Sequence, residues 1–268
     1  MLATNASAVL VTKRTEENRN ELWRIDATSG SATQINFSTP VGGFPVWAPD
    51  SRRFVYSAVS DEGAAQLRMK SIVGVDEEVA LLSSPRYWAM LPEDWSRDGR
   101  WLLYTVTETT GWDVWVFDRQ SGKSVALMNS PANEVYPRFS PDGRSIAYVT
   151  DESGSWNVCV RPFPTGTTTT SISPDGGSQP QWRGDGKELF FITPDGQLAV
   201  STITSNPFEA SVPMRLFQTH ISPMLAPFRA AFGVSPDGQR FLMSNVAPES
   251  EASAITLVIP SAAGPAAR

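Results

Sequence analysis

The chain has one cysteine, Cys159, one histidine, His220, and no basic run longer than two residues. Each scarcity excludes something. A single cysteine forbids an intrachain disulfide and leaves the redox compartment unreadable. One histidine and one cysteine cannot supply the several ligands that a zinc centre of this kind needs. A Ser-His-Asp triad would have to use His220, and no Gly-x-Ser-x-Gly elbow occurs. No apolar stretch approaches the ~18 residues of a membrane-crossing helix, so direct membrane insertion is not expected. Met1 to Leu10 lacks the basic region and apolar run of a signal peptide. A net charge of −6 without a basic cluster makes nucleic acid and anionic membrane poor partners.

What the chain has instead is aromatics and turn formers: nine tryptophans, 21 prolines and 19 glycines in 268 residues. That mixture points to many short strands. The length suits one large all-β domain without disulfides.

An internal repeat organises those strands. Its clearest copy is Phe139-Ser-Pro-Asp142-Gly143-Arg144-Ser-Ile146-Ala-Tyr148. Further copies are anchored at Asp50, Asp98, Asp185 and Asp237. Three residues before each aspartate stands Trp47, Trp95, Phe139, Trp182 or Val234. Four and six residues after it stand the pairs Phe54/Tyr56, Leu102/Tyr104, Ile146/Tyr148, Leu189/Phe191 and Phe241/Met243. A separation of two puts each pair on one face of a strand. Strand, Asp-Gly bend and alternating strand make a hairpin, with the aspartate capping its own turn. Pro174-Asp175-Gly176 and Pro194-Asp195-Gly196 break the interval and read as an inter-blade connection and a later hairpin tip.

Third strands follow at Glu21–Ile25, Gln66–Met69, Asp113–Val116, Asn157–Val160 and Leu198–Val200. Fourth strands follow at Val79–Leu82, Val125–Met128 and Met214–Phe217. Four strands per ~45 residues is a propeller blade. The expected fold is therefore an all-β, six-bladed β-propeller of four-stranded antiparallel blades, one domain over residues 1–260 with a flexible tail at 261–268. Its units are residues 1–40, 43–83, 87–130, 134–175, 178–220 and 228–260. The first and last units lack a strand each: Ser7–Thr12 aligns with a second strand, and nothing strand-like follows Ile255–Ile259. Both missing pieces would come from upstream of Met1, so the chain is expected to be the C-terminal part of a longer protein.

The run from Asn133 to Pro164, followed by Gly177-Ser-Gln-Pro-Gln-Trp-Arg-Gly-Asp-Gly-Lys-Glu-Leu-Phe-Phe-Ile, resembles the WD-like repeats of TolB-type propellers. It is most similar to those at the C-terminal end of bacterial eukaryotic-like serine/threonine kinases and related regulators. The resemblance covers residues 40 to 245. It implies a sensor or protein-interaction module, extracytoplasmic (periplasmic or extracellular). No kinase motif is present. The polysaccharide lyases of this repeat type use a histidine-rich metal centre, which one histidine cannot assemble.

Innermost strands of a propeller line its axis, and the loops entering them form one mouth. At that place the regular repeat becomes irregular: Trp88, Glu93, Asp94, Glu134, Tyr136, Gln179, Gln181 and Arg229 differ from blade to blade. Variation inside a regular frame is where binding tends to reside. These residues are the candidate ligand site, with a wet channel lining as the plain alternative. The expectation is a non-enzymatic, monomeric module that binds a protein or peptide, or else a scaffold. The alternative is a hydrolase of the propeller lactonase kind, because channel carboxylates also suit Ca²⁺. Cys159 reads as a buried inert thiol, His220 as a rim residue, and Trp112 and Trp156 as packing between blades.

Overall fold

The repeated bend forms as its chemistry dictates. The computed structural model describes residues 7–37, 41–73, 78–108, 111–221 and 231–243. Each turn aspartate accepts the backbone N–H two residues on: Asp50 from Arg52 at 2.9 Å, Asp98 from Arg100 at 3.0 Å, Asp142 from Arg144 at 3.1 Å. Asp185 takes that of Lys187 and Asp237 that of Gln239, both at 3.0 Å. The residue after the aspartate is left-handed. Gly99, Gly143, Gly186 and Gly238 lie at φ 70–76°, whereas the second copy puts Ser51 there at φ 53°.

Around these bends every regular element among the described residues is a strand. The first sheet is β1 (Ala8–Arg14), β2 (Asn20–Asp26) and β3 (Ala32–Ile35). The second is β4 (Val41–Trp47), β5 (Arg53–Val59), β6 (Ala65–Ser71) and β7 (Glu78–Ser84). The third is β8 (Met90–Trp95), β9 (Trp101–Thr107), β10 (Trp112–Asp118) and β11 (Lys123–Met128). The fourth is β12 (Glu134–Phe139), β13 (Ser145–Thr150), β14 (Asn157–Pro162) and β15 (Thr170–Ser171). The fifth holds β16 (Ser178–Trp182), β17 (Glu188–Ile192) and β18 (Gln197–Ser205), with β19 (Phe208–Ala210) and β20 (Met214–Gln218) both pairing β18. A hairpin of β21 (Phe232–Val234) and β22 (Phe241–Met243) follows. All pairings are antiparallel, so each sheet is a meander running outward from its first strand.

The expectation of six blades is corrected to five. Only five sheets have three or more strands, and the sixth unit is represented by the two short strands β21 and β22 among the described residues. The repeat is weak there: its fifth copy, which opens the sixth unit, has Val234 and Met243 where other copies carry large aromatics. The proposed strand Ile255–Ile259 lies outside the described residues, and so does Arg229.

Apolar side chains fill the wedges between sheets rather than one centre. Leu10, Leu22, Phe54 and Tyr56 join the first and second blades. Val55, Leu67, Met90 and Tyr104 join the second and third. Val114, Met128, Ile146 and Phe163 join the third and fourth. Val149, Val158, Leu189 and Phe191 join the fourth and fifth. Phe190, Leu198 and Phe232 join the fifth to the last hairpin. This chain of shared wedges fixes the order of the blades around the axis.

Ser51 supplies a direct check on the turn. Replacing it by glycine removes the left-handed penalty of a side chain but adds unfolded-state entropy, so Ser51→Gly should stabilise by about 0.5–1 kcal/mol. Urea unfolding measures it, and a loss of stability would contradict the bend as described.

Candidate functional site

Four inner strands, β4, β8, β12 and β16, contact one another in sequence, and β21 continues the series. Each of those four is interrupted by a bulge at the same level. The ladder skips between Gly43 and Val46, Pro92 and Asp94, Val135 and Arg138, and Ser178 and Gln181. In three of them the bulge holds a left-handed residue directly before a proline: Phe44 (φ 57°), Tyr136 (φ 54°) and Gln179 (φ 57°). Proline cannot adopt positive φ, so the third blade, with Pro92 in that position, bulges at Glu93 instead. A bulge leaves backbone groups out of the ladder, and buried groups must find other partners.

Arg138 supplies them. Its buried guanidinium donates from Nη1 to the carbonyl oxygens of Glu93 and Pro137, and to Glu93 Oε2 at 3.1 Å. Thr105 Oγ1 donates to Glu93 Oε1 at 3.3 Å. One residue on, Asp94 Oδ2 accepts the backbone N–H of Phe139 at 2.7 Å. These contacts clamp the third blade to the fourth. On the other side Trp182 Nε1 donates to Arg138 O at 3.2 Å, binding the fourth blade to the fifth. Gln179 Oε1 accepts Ala231 N–H at 2.6 Å, binding the fifth blade to the last hairpin. Burial pushes the Glu93 carboxyl up to about 7, against the opposing pull of Arg138. Asp94 is raised for the same reason.

The two ends of the axis differ. At the Asp-Gly end, Arg97 Nη2 donates to Gly184 O at 2.9 Å, joining bends of the third and fifth blades past the fourth. That end is bridged. The other end is built from the loops entering the inner strands and the hairpins between second and third strands. Asn133 organises it: its N–H and Nδ2 donate to Asp151 at 2.8 and 2.6 Å, while its Oδ1 accepts Trp112 N–H at 3.2 Å. The β9–β10 hairpin is thereby held against the start of β12, next to Glu134.

Of the residues expected to form the site, Trp88 stands at this mouth, 74% exposed. Glu134 is there too, buried, with one oxygen accepting the Ser130 hydroxyl. Glu93, Asp94, Tyr136 and Gln179 lie deeper, in the bulges and clamps, and Gln181 is half-buried on β16. Sequence reading passed over Arg138, Asn133 and Asp113. The signal for Arg138 was a cation inside the otherwise apolar inner strand Val135-Tyr-Pro-Arg-Phe139. Among the described residues no three Asp, Glu, His or Cys side chains come together as a metal site. Cys159 is buried and free, its thiol raised to about 11 by burial, and His220 is exposed beyond β20. Trp112 packs into the wedge of the fourth and fifth blades, while Trp156 is 38% exposed. No helix among the described residues is long and apolar enough to cross a membrane.

Antiparallel four-stranded sheets stacked edge-on around an axis, sharing wedge-shaped cores, define a β-propeller. The TolB beta propeller domain family matches residues 3–243, and the chain belongs to that family. It is 25% identical over 150 residues to the Tol-Pal system protein TolB of Wolinella succinogenes, a stretch that is 56% of this chain and only 35% of that relative. The crystal structure of TolB from Acinetobacter baumannii superposes with a TM-score of 0.68 at 15% identity, covering 90% of this chain and 62% of that one. An oligogalacturonate lyase from Vibrio parahaemolyticus shares the fold at a TM-score of 0.62 and 13% identity, covering 91% and 72%. At such identities the likeness carries fold and not activity.

The Glu93 carboxyl makes a pH-dependent prediction. Its folded pKa, about 7, lies above the ordinary 4.5, so its protonated form favours folding. The contribution is fully present below pH 4.5 and is lost as pH rises through 7. Glu93→Gln keeps the acceptor and removes the titration. Urea midpoints measured from pH 4.5 to 7.5 should fall in the parent and stay flatter in the variant. Parallel profiles would contradict the buried placement of this group.

Proposed function

We propose that this propeller is a non-enzymatic binding module that holds a protein or peptide segment at the loop-built mouth of its axis. The observation that carries the reading is the asymmetry of the channel: one end is tied across by Arg97 and Gly184, and the other presents Trp88 almost bare. An exposed tryptophan at a loop-built end is the kind of side chain that anchors a partner. Trp88 and Glu134 would meet that partner first, while Tyr136 and Gln179, buried in the inner-strand bulges, and Gln181 would support the mouth from behind, and Glu93 and Asp94 hold the ring. Arg229 belongs to the same proposed site by its sequence position. Following the resemblance to kinase-tail propellers, we assign the module to the sensor part of a larger signalling protein working outside the cytoplasm, as a monomer.

The test is selection followed by substitution. A random peptide library displayed on phage, panned on the propeller, should enrich sequences whose binding weakens at least about tenfold with Trp88→Ala, the loss typical of a buried aromatic anchor. Absence of enrichment, or binding indifferent to Trp88, would contradict the reading. The calcium-dependent hydrolase alternative is judged in parallel by turnover of a lactone and ester panel with calcium and with EDTA. Metal-dependent turnover would replace the binding reading.

A further inference from the structure

Buried charges in proteins are paired or coordinate something, because an isolated carboxylate loses its hydration without compensation. Two carboxyls at the mouth have no ion-pair partner among the described residues. Glu134 is 4% exposed, and its Oε2 has no hydrogen-bond partner among the described residues. Asp113, at the start of β10, is 6% exposed. Its backbone pairs with Val106 in the ladder, its carboxyl has no ion-pair or hydrogen-bond partner among the described residues, and β10 packs against β12. That packing brings Asp113 and Glu134 to the same end of the axis, and the Asp113 charge raises Glu134.

The surroundings add to the deficit. Glu152 also acts on Glu134, and Glu108 on Asp113. The cation acting on this group is Arg86, whose Nη2 already holds both oxygens of Glu108 at 3.0 and 3.1 Å. Burial is the largest cause holding both carboxyls above their ordinary range. The equivalent position one blade on is Asn157, a neutral amide, so the acid at 113 is not a requirement of the repeat.

We propose that Asp113 and Glu134 form an acceptor for the ammonium or guanidinium of a basic side chain that the bound partner inserts beside Trp88. A divalent metal fits less well, since no third acidic, histidine or cysteine ligand joins the pair among the described residues. An organic cation needs only directed acceptors and a nearby aromatic face. The partner is thereby narrowed to a segment carrying lysine or arginine. This assignment rests on the mouth being the binding end.

The experiment uses butylammonium and ethylguanidinium as probes, with sodium and tetramethylammonium chloride at equal ionic strength as controls. Either N–H-bearing cation should raise the melting temperature in a saturable way, since it binds the folded chain alone. Glu134→Gln and Asp113→Asn should melt no lower than the parent without probe and should lose the response. A response absent in the parent, equal in tetramethylammonium, retained in the double variant, or given by calcium instead would overturn the acceptor. Failure of the wider reading is distinguishable. Selected peptides that need Trp88 but contain no basic residue would sink the acceptor and leave the mouth. A cation response without any selected peptide would do the reverse.

Discussion

The ring depends on one buried guanidinium. The inner strands are interrupted where they line the axis, and each interruption strands carbonyl groups in a place with little water. Arg138 answers two of those carbonyls and the Glu93 carboxylate at once, while its own carbonyl accepts the Trp182 indole. Three blades therefore meet at a single residue. Wedge packing alone is non-directional, and hydrogen bonds at this radius fix how neighbouring blades are rotated against each other.

That arrangement sorts the acidic residues near the axis into two groups. Glu93 and Asp94 are engaged with an arginine and a backbone amide of the next blade, so their charge is spent on cohesion. Glu134 and Asp113 lie one level nearer the loops and have no such cation, which leaves them for a ligand. The same residue type thus serves two ends according to its depth in the channel. At the opposite end Arg97 ties the third blade to the fifth with one hydrogen bond to Gly184 O.

The fold was legible because turn chemistry is local. The aspartate bend, its following left-handed residue and the paired columns after it recur at five places, and the strands they imply match β4 to β14 and β16 to β18, whereas the two-residue β15 was not foreseen. Even the two Asp-Gly look-alikes fall where their broken spacing put them, around Asp175 between β15 and β16 and around Asp195 between β17 and β18. The blade count was less legible, because units at the two ends carry degraded columns. β19 was missed because the Asn206-Pro207 bend interrupts no apolar alternation that would announce it. The site was legible only as a place. Irregular positions inside a regular repeat point to the inner strands and the loops entering them, but which of them bond across blades depends on neighbours 45 residues away in sequence, as Arg138 and Glu93 are, and periodicity carries no such information.

The most direct measurement of the central claim is a double-mutant cycle between Glu93 and Arg138, read by urea unfolding of Glu93→Ala, Arg138→Met and the pair. Contacting members of one buried network couple by about 0.5–3 kcal/mol, and the cycle should fall in that range, with the double variant less damaged than the sum of the singles. Strict additivity would mean that the two side chains do not share one clamp, and the ring would have to be held by its apolar wedges alone.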